Sequence, residues 1–228
     1  MRFQDAARDA RAIVYAGIQA DPLVARAADL LATATTDQRI LARAVMNGQT
    51  TGADGWRLMF PSLFGPASDP ARRQAAEAVL AVSLEVADRG EQVRSQYRGA
   101  IVEALTERLL ASRTPPVTVR RERRILFDGV RAEIHPYDVT VEVDGSAEAL
   151  DCKWGARGIG ADVLHQLDDA RTHAADEDER LRVGLVVFDA RRSCDVRLAQ
   201  QTAPTGGIEV FAIETLDALG ARTDRTGS

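Results

Sequence analysis

Asp138-Val139-Thr140-Val141-Glu142-Val143, then Asp144-Gly145, then Ser146-Ala147-Glu148-Ala149-Leu150-Asp151-Cys152-Lys153-Trp154, is the stretch on which the reading of the chain turns. Val139, Val141 and Val143 alternate with Asp138, Thr140 and Glu142, the period of a strand whose successive side chains point to opposite faces. Beyond the break, Leu150, Cys152 and Trp154 alternate with Asp151 and Lys153 in the same way. Asp-Gly between two such runs is a strong signal for a two-residue hairpin turn, whose central residues need positive φ. With that turn, Asp138 stands directly opposite Asp151, the facing β-carbons roughly 5 Å apart. A four-residue loop instead sets Asp138 opposite Lys153, with Asp151 on the diagonal. Either register brings both acids and the lysine together.

Lys153 is the only lysine; the other 28 of the 29 cationic side chains are arginine. A compact ammonium can aim one charge at one oxygen, which a planar guanidinium does less readily. Two carboxylates at hairpin separation repel unless one holds a proton or a cation lies between them. Mg2+ is the hard ion that such oxygens suit, and the Cys152 backbone carbonyl offers a third oxygen. Acids, ion and ammonium together fit metal-assisted hydrolysis of a phosphodiester, Lys153 orienting the attacking water or assisting its deprotonation. The competing reading is a surface hairpin whose Asp and Lys make weak exposed pairs.

Working outward, strand-like segments lie at 117–127, 138–143, 149–154, 181–188 and 207–213. Helices fit at 160–175, 192–201 and 215–220. A long helix over 91–112 is ended by Thr114-Pro115-Pro116. The order predicts an α/β (α+β) fold, a mixed sheet flanked by helices. Residues 1–90 read as an all-helical domain for partner, substrate or oligomer contacts. Its helices are expected at 3–20, from Asp21-Pro22 to 33, at 37–47 behind Thr35 and Thr36, and from Asp69-Pro70 to 87. Residues 48–69, rich in glycine and proline, read as a loop from which Trp56, Leu58, Met59, Phe60 and Phe64 pack down. The second domain spans 91–222, with 223–228 a disordered tail.

Composition narrows the function. The 228-residue chain is 45% hydrophobic and 28% charged, with a formal net charge of −5. That balance excludes a protein that coats nucleic acid by bulk positive charge. A local basic surface is still available, because Arg113, Arg120, Arg121, Arg123, Arg124 and Arg131 crowd around Glu122; a charged strand edge is the alternative. Apolar runs fall short of the roughly 20 residues of a membrane helix, and the N-terminus does not read as a signal peptide. Cys152 and Cys194 form no disulfide framework, and three histidines give no zinc spacing, so a cytoplasmic location is expected.

Asp138 followed by Asp151-Cys152-Lys153 on the next strand resembles the PD-(D/E)xK nuclease superfamily, which includes restriction endonucleases, Mrr-like enzymes and Holliday-junction resolvases. Gly99-Ala100-Ile101-Val102-Glu103, with Leu109-Leu110 beyond, is similar to the Mrr-like helix pattern. Val163 to Leu167 and the strand Val183 to Phe188 resemble the helix and strand that follow the lysine. The proline of the family name is here Pro136, one residue early, and Glu133 and Glu142 are the alternatives for the first acid. The resemblance implies a restriction endonuclease-like fold and a Mg2+-dependent nuclease, with Mn2+ substituting. Asp138, Asp151, the Cys152 carbonyl and Glu103 would hold the metal, Lys153 would position the water, and Gln166 is a further candidate for the lysine or the metal shell. Glu107, one turn along, is the alternative helix acid. The expected partner is nucleic acid, DNA before RNA, and a homodimer is the form in which such enzymes cut both strands. Restriction, phage defence or repair are the settings of small nucleases of this kind. The alternative is an inactive nuclease-like nucleic-acid-binding or scaffold protein acting through its helical half.

Overall fold

In a computed structural model of the chain, the described residues are 1–6, 10–48, 51–127, 130–131, 135–143 and 146–221. Asp144-Gly145, Glu133 and the tail 223–228 lie outside them. The chain divides into two compact units, Asp9–Leu105 and the combination of Met1–Arg8 with Thr106–Ser228.

The described part of the first unit is helical. It comprises α1 (Ala10–Gln19), α2 (Pro22–Ala32), α3 (Thr36–Met46), α4 (Ala53–Met59), α5 (Pro61–Phe64), α6 (Pro70–Ala87) and α7 (Glu91–Ala111) as far as Leu105. Local chemistry sets several starts. The Asp21 carboxylate accepts the Leu23 N–H, and the Asp69 carboxylate accepts those of Ala71 and Arg72, each ahead of a proline in the first turn. Thr35 forms a capping box with Gln38. Two corrections concern 48–69, where α4 and α5 replace the expected loop. Trp56 and Leu63 are buried against Leu41, Val45, Ala76 and Leu80, and that burial offsets the weak helical preference of the surrounding glycines. Leu58 and Met59, expected to pack down, are 82% and 52% exposed, because α4 turns them off its buried face.

The second unit is built on one mixed sheet. Its strands are β1 (Arg2–Asp5), β2 (Thr118–Phe127), β3 (Val130–Arg131), β4 (Tyr137–Val143), β5 (Ser146–Lys153), β6 (Leu181–Val187) and β7 (Ile208–Phe211). The order is β1-β2-β4-β5-β6-β7, with β3 on β2. Pairing is antiparallel through β5, and parallel from β5 to β6 and from β6 to β7. Among the described residues the unit also holds the end of α7 from Thr106, and α8 (Ala161–Asp176), α9 (Arg191–Ala199) and α10 (Ala218–Ala221).

Residues 3–5, expected to be helical, form β1. Arg2 to Asp5 pair with Leu126 to Arg123, Phe3 packs into the core, and Asp5 ion-pairs with Arg123. Ladder and core contacts with a strand far along the chain outweigh local helix propensity here.

One face of the sheet packs on α8. Ala149, Val183, Leu185 and Val187 meet Leu164, Leu167 and Ala170 there. On the other face Cys152 Sγ lies 3.5 Å from Thr106 Oγ1, and Glu148 takes a bidentate bond from Arg113 at 2.8 and 3.0 Å, just past the end of α7. The polar face of the hairpin is therefore no solvent face. Thr140, Ala149 and Asp151 are buried along with Val139 and Leu150, as befits central strands covered on both sides.

Candidate functional site

Main-chain pairing of β4 with β5 runs from Val143–Ser146 to Val139–Leu150. This is the register of the two-residue connection, in which Asp138 stands opposite Asp151. At the next position a side chain takes over from the ladder: Asp138 Oδ2 accepts the Cys152 N–H at 2.6 Å. In an extended strand one residue's N–H and C=O face the same neighbour. Lys153 presents its carbonyl to β6, where it accepts the Phe188 N–H at 2.8 Å. The carbonyl of Cys152 is accordingly directed toward Asp138.

The Lys153 ammonium ion-pairs with Asp151, whose side chain is 10% exposed against 26% for the lysine. Burial is the largest influence on Lys153 and pulls its pKa down. The carboxylates of Asp151 and Asp138 together outweigh it, so the pKa stands above the usual lysine value. Both sequence-predicted acids thus act on one ammonium, which stays protonated at neutral pH.

The turn after Lys153 is held by Asp189, a residue the sequence reading passed over. Its buried carboxylate accepts the Ala156 N–H at 3.0 Å and the Ala190 N–H at 2.8 Å. That fixes a 3₁₀ turn, Ala156–Gly158, against the lysine stem. A β-carbon at Gly158 would stand 2.9 Å from Lys153 Cδ, so a side chain there would force the lysine aside. Trp154 is half-buried, its ring centroid 5.0 Å from that of Phe188.

Glu122 was also passed over. It sits in the left-handed region at φ 52°, unusual for a residue with a β-carbon. A carboxylate oxygen of Glu122 lies within 4.8 Å of one of Asp138. The sequence signal was an acid isolated among arginines, but only the fold turns it toward Asp138.

Glu103 belongs to the helical unit, where it is buried and accepts from Tyr15 Oη at 2.5 Å and from Gln19 Nε2 at 2.7 Å. Gln166 is buried. Its amide bridges the His135 backbone, accepting from the N–H at 3.2 Å and donating to the carbonyl at 3.0 Å. Gln166 therefore positions the segment leading into Asp138. Glu142 accepts from Arg123 Nε at 2.9 Å, and Glu107 pairs with Arg121. Cys152 is buried, as expected of a small apolar side chain. Burial pushes the Cys194 thiol up to about 11, which disfavours the thiolate a nucleophile needs.

Half of the arginines of the expected basic surface are paired internally. Arg113 is buried on Glu148, Arg121 is paired with Glu107, and Arg123 with Glu142 and Asp5. Strand pairing brings Arg123 to Asp5 and Glu142, while Arg121 reaches Glu107 on α7 and Arg113, just past α7, reaches Glu148 on β5.

No family model matches the chain, and no curated protein matches it. Among solved structures, the crystal structure of protein VC1899 from Vibrio cholerae is similar at 18% identity, with a TM-score of 0.39, over 96% of this chain. The chain spans 57% of that protein's length. Among the described residues no helix is long and apolar enough to cross a membrane.

Proposed function

We propose that this protein is a Mg2+-dependent nuclease, with DNA as the favoured substrate, built on a restriction endonuclease-like core with an N-terminal helical domain. The observation that carries the reading is the meeting of Asp138, Asp151 and Lys153 where β4 and β5 part. The donor set there is hard oxygen: two carboxylates, the carboxylate of Glu122 close to Asp138, and the Cys152 carbonyl turned toward them. Magnesium and manganese suit such a set, whereas the two buried thiols suit neither.

Asp138 and Asp151 would hold the ion, with Glu103 assigned to the site by family resemblance. When bound, the ion supplies positive charge to the oxygens of the scissile phosphate. Lys153, kept cationic by its two acids, orients the attacking water and offsets charge on a phosphoryl oxygen. Water adds to phosphorus, the ester P–O bond breaks, and the departing alkoxide takes a proton, leaving an alcohol and a phosphomonoester. Asp189 and Gly158 position the lysine stem.

The test is a cleavage panel on single- and double-stranded DNA and RNA with Mg2+, Mn2+ or EDTA. Cleavage is expected with either metal and is lost in EDTA and in Lys153→Ala. Activity that survives Lys153→Ala overturns the assignment. Failure of calorimetry to detect uptake of either ion would favour the non-catalytic binding or scaffold reading.

A further inference from the structure

The 3₁₀ turn Ala156–Gly158 that rests on Lys153 forms one wall of a groove, and α9 forms the other. The groove encloses about 470 Å³ and is lined by Arg157, Arg192, Arg197, Ser193, Gln200 and the exposed Val196. Arg197 is fixed in place by donating from Nε to the Ile159 carbonyl at 2.9 Å. The side chains of Arg157 and Arg192 are exposed and, among the described residues, make no hydrogen bond or ion pair. Among the described residues no carboxylate lines the groove. The neighbouring Arg191, by contrast, is paired with Asp195 at 2.8 Å.

Concentrating unpaired guanidinium groups in one concavity is costly in mutual repulsion unless a polyanion fills it. The turn that walls the concavity also packs on the stem of Lys153, the residue proposed to meet the scissile phosphate. Guanidinium groups recognise phosphate oxygens through paired N–H donors, and hydroxyl and amide groups such as Ser193 and Gln200 add contacts without reading sequence.

We propose that this groove binds the sugar-phosphate backbone of the nucleic-acid strand beside the scissile phosphate, so that Arg157 and Arg192 set substrate register. The identity of the strand rests on the nuclease reading above. The position of the cations does not.

The test is fluorescence anisotropy with labelled single- and double-stranded DNA, in EDTA so that nothing is cut, across a range of NaCl concentrations. Wild type is compared with the double variant Arg157→Ala/Arg192→Ala and with its Arg→Lys counterpart, all checked by circular dichroism. The alanine variant should bind more weakly across all sequences, with the log–log salt slope reduced by about 2, one for each phosphate no longer neutralised. The lysine variant should keep most of the slope. An unchanged slope in the alanine variant overturns the proposal. So does displacement of DNA by poly-glutamate at equal charge, which would make the groove a site for acidic protein segments. Wild type that binds through these arginines but never cuts with Mg2+ leaves the groove standing and sinks the nuclease. Cutting with an unaltered slope does the reverse.

Discussion

Asp138→Asn separates what this carboxylate does for the fold from what it does for a cation. The amide oxygen can still accept the Cys152 N–H at 2.6 Å, so the parting strands remain bridged. Replacing a charge-assisted hydrogen bond by a neutral one costs about 1 kcal/mol. The lost charge acts in two opposing ways. Repulsion from Glu122, whose oxygen lies within 4.8 Å, is about 3 kcal/mol at an effective dielectric of ~20. Attraction to Lys153 disappears with it. Metal-free stability should therefore change little, with Tm moving by no more than about 4 °C. The response to Mg2+ should change much more. For a wild-type Kd of about 1 mM, roughly 10 mM Mg2+ adds about 1.4 kcal/mol, or about 3–6 °C in Tm for a chain of this size. An affinity weakened about thirtyfold leaves only ~0.2 kcal/mol of that gain. The assay is a circular-dichroism melt in MgCl2 and in EDTA. An Asp138→Asn protein that keeps the full wild-type Mg2+ shift refutes the placement of the cation.

Two further outcomes concern the scaffold. Glu148→Ala strands the buried Arg113 guanidinium, which also donates from Nε to the Leu219 carbonyl at 2.7 Å. An uncompensated buried charge costs about 3–5 kcal/mol, so thermal melts should fall steeply, and the Arg113→Met/Glu148→Met pair should recover most of the loss; a single-variant cost near zero would contradict this. In the helical unit, Asp21 is held below its usual 3.8, first by the Tyr97 hydroxyl and then by the Leu23 N–H. A depressed carboxylate contributes stability that is present above its unfolded pKa and is lost as pH falls through the folded one. Tyr97→Phe should thus cost about 1 kcal/mol at pH 7, and urea titrations should show that difference shrinking in acid; a gap equally large at both pH values would exclude Asp21 as its source.

The hairpin was legible because its determinants are local. Two runs of period two on either side of a short break bring Asp138, Asp151 and Lys153 together in either register, and the structure selects the one that pairs Val143 with Ser146. The helix starts at Asp21-Pro22 and Asp69-Pro70 were legible for the same reason, since a cap and its proline act within one turn. Tertiary structure alone decided the rest. Arg2 to Asp5 became a strand because β2, more than a hundred residues on, offered an edge. Gln166 was turned inward by the His135 backbone, and Glu122 toward Asp138 by a left-handed residue that no propensity favours. Arg113, Arg121 and Arg123 were paired by acids that the sheet and α7 delivered, while Arg157 and Arg192 met across a groove between segments some 35 positions apart. Turns and helix caps are dictated by neighbours in sequence, but strand partners are supplied, and charge is neutralised or left open, by neighbours in space, which the chain acquires only on folding.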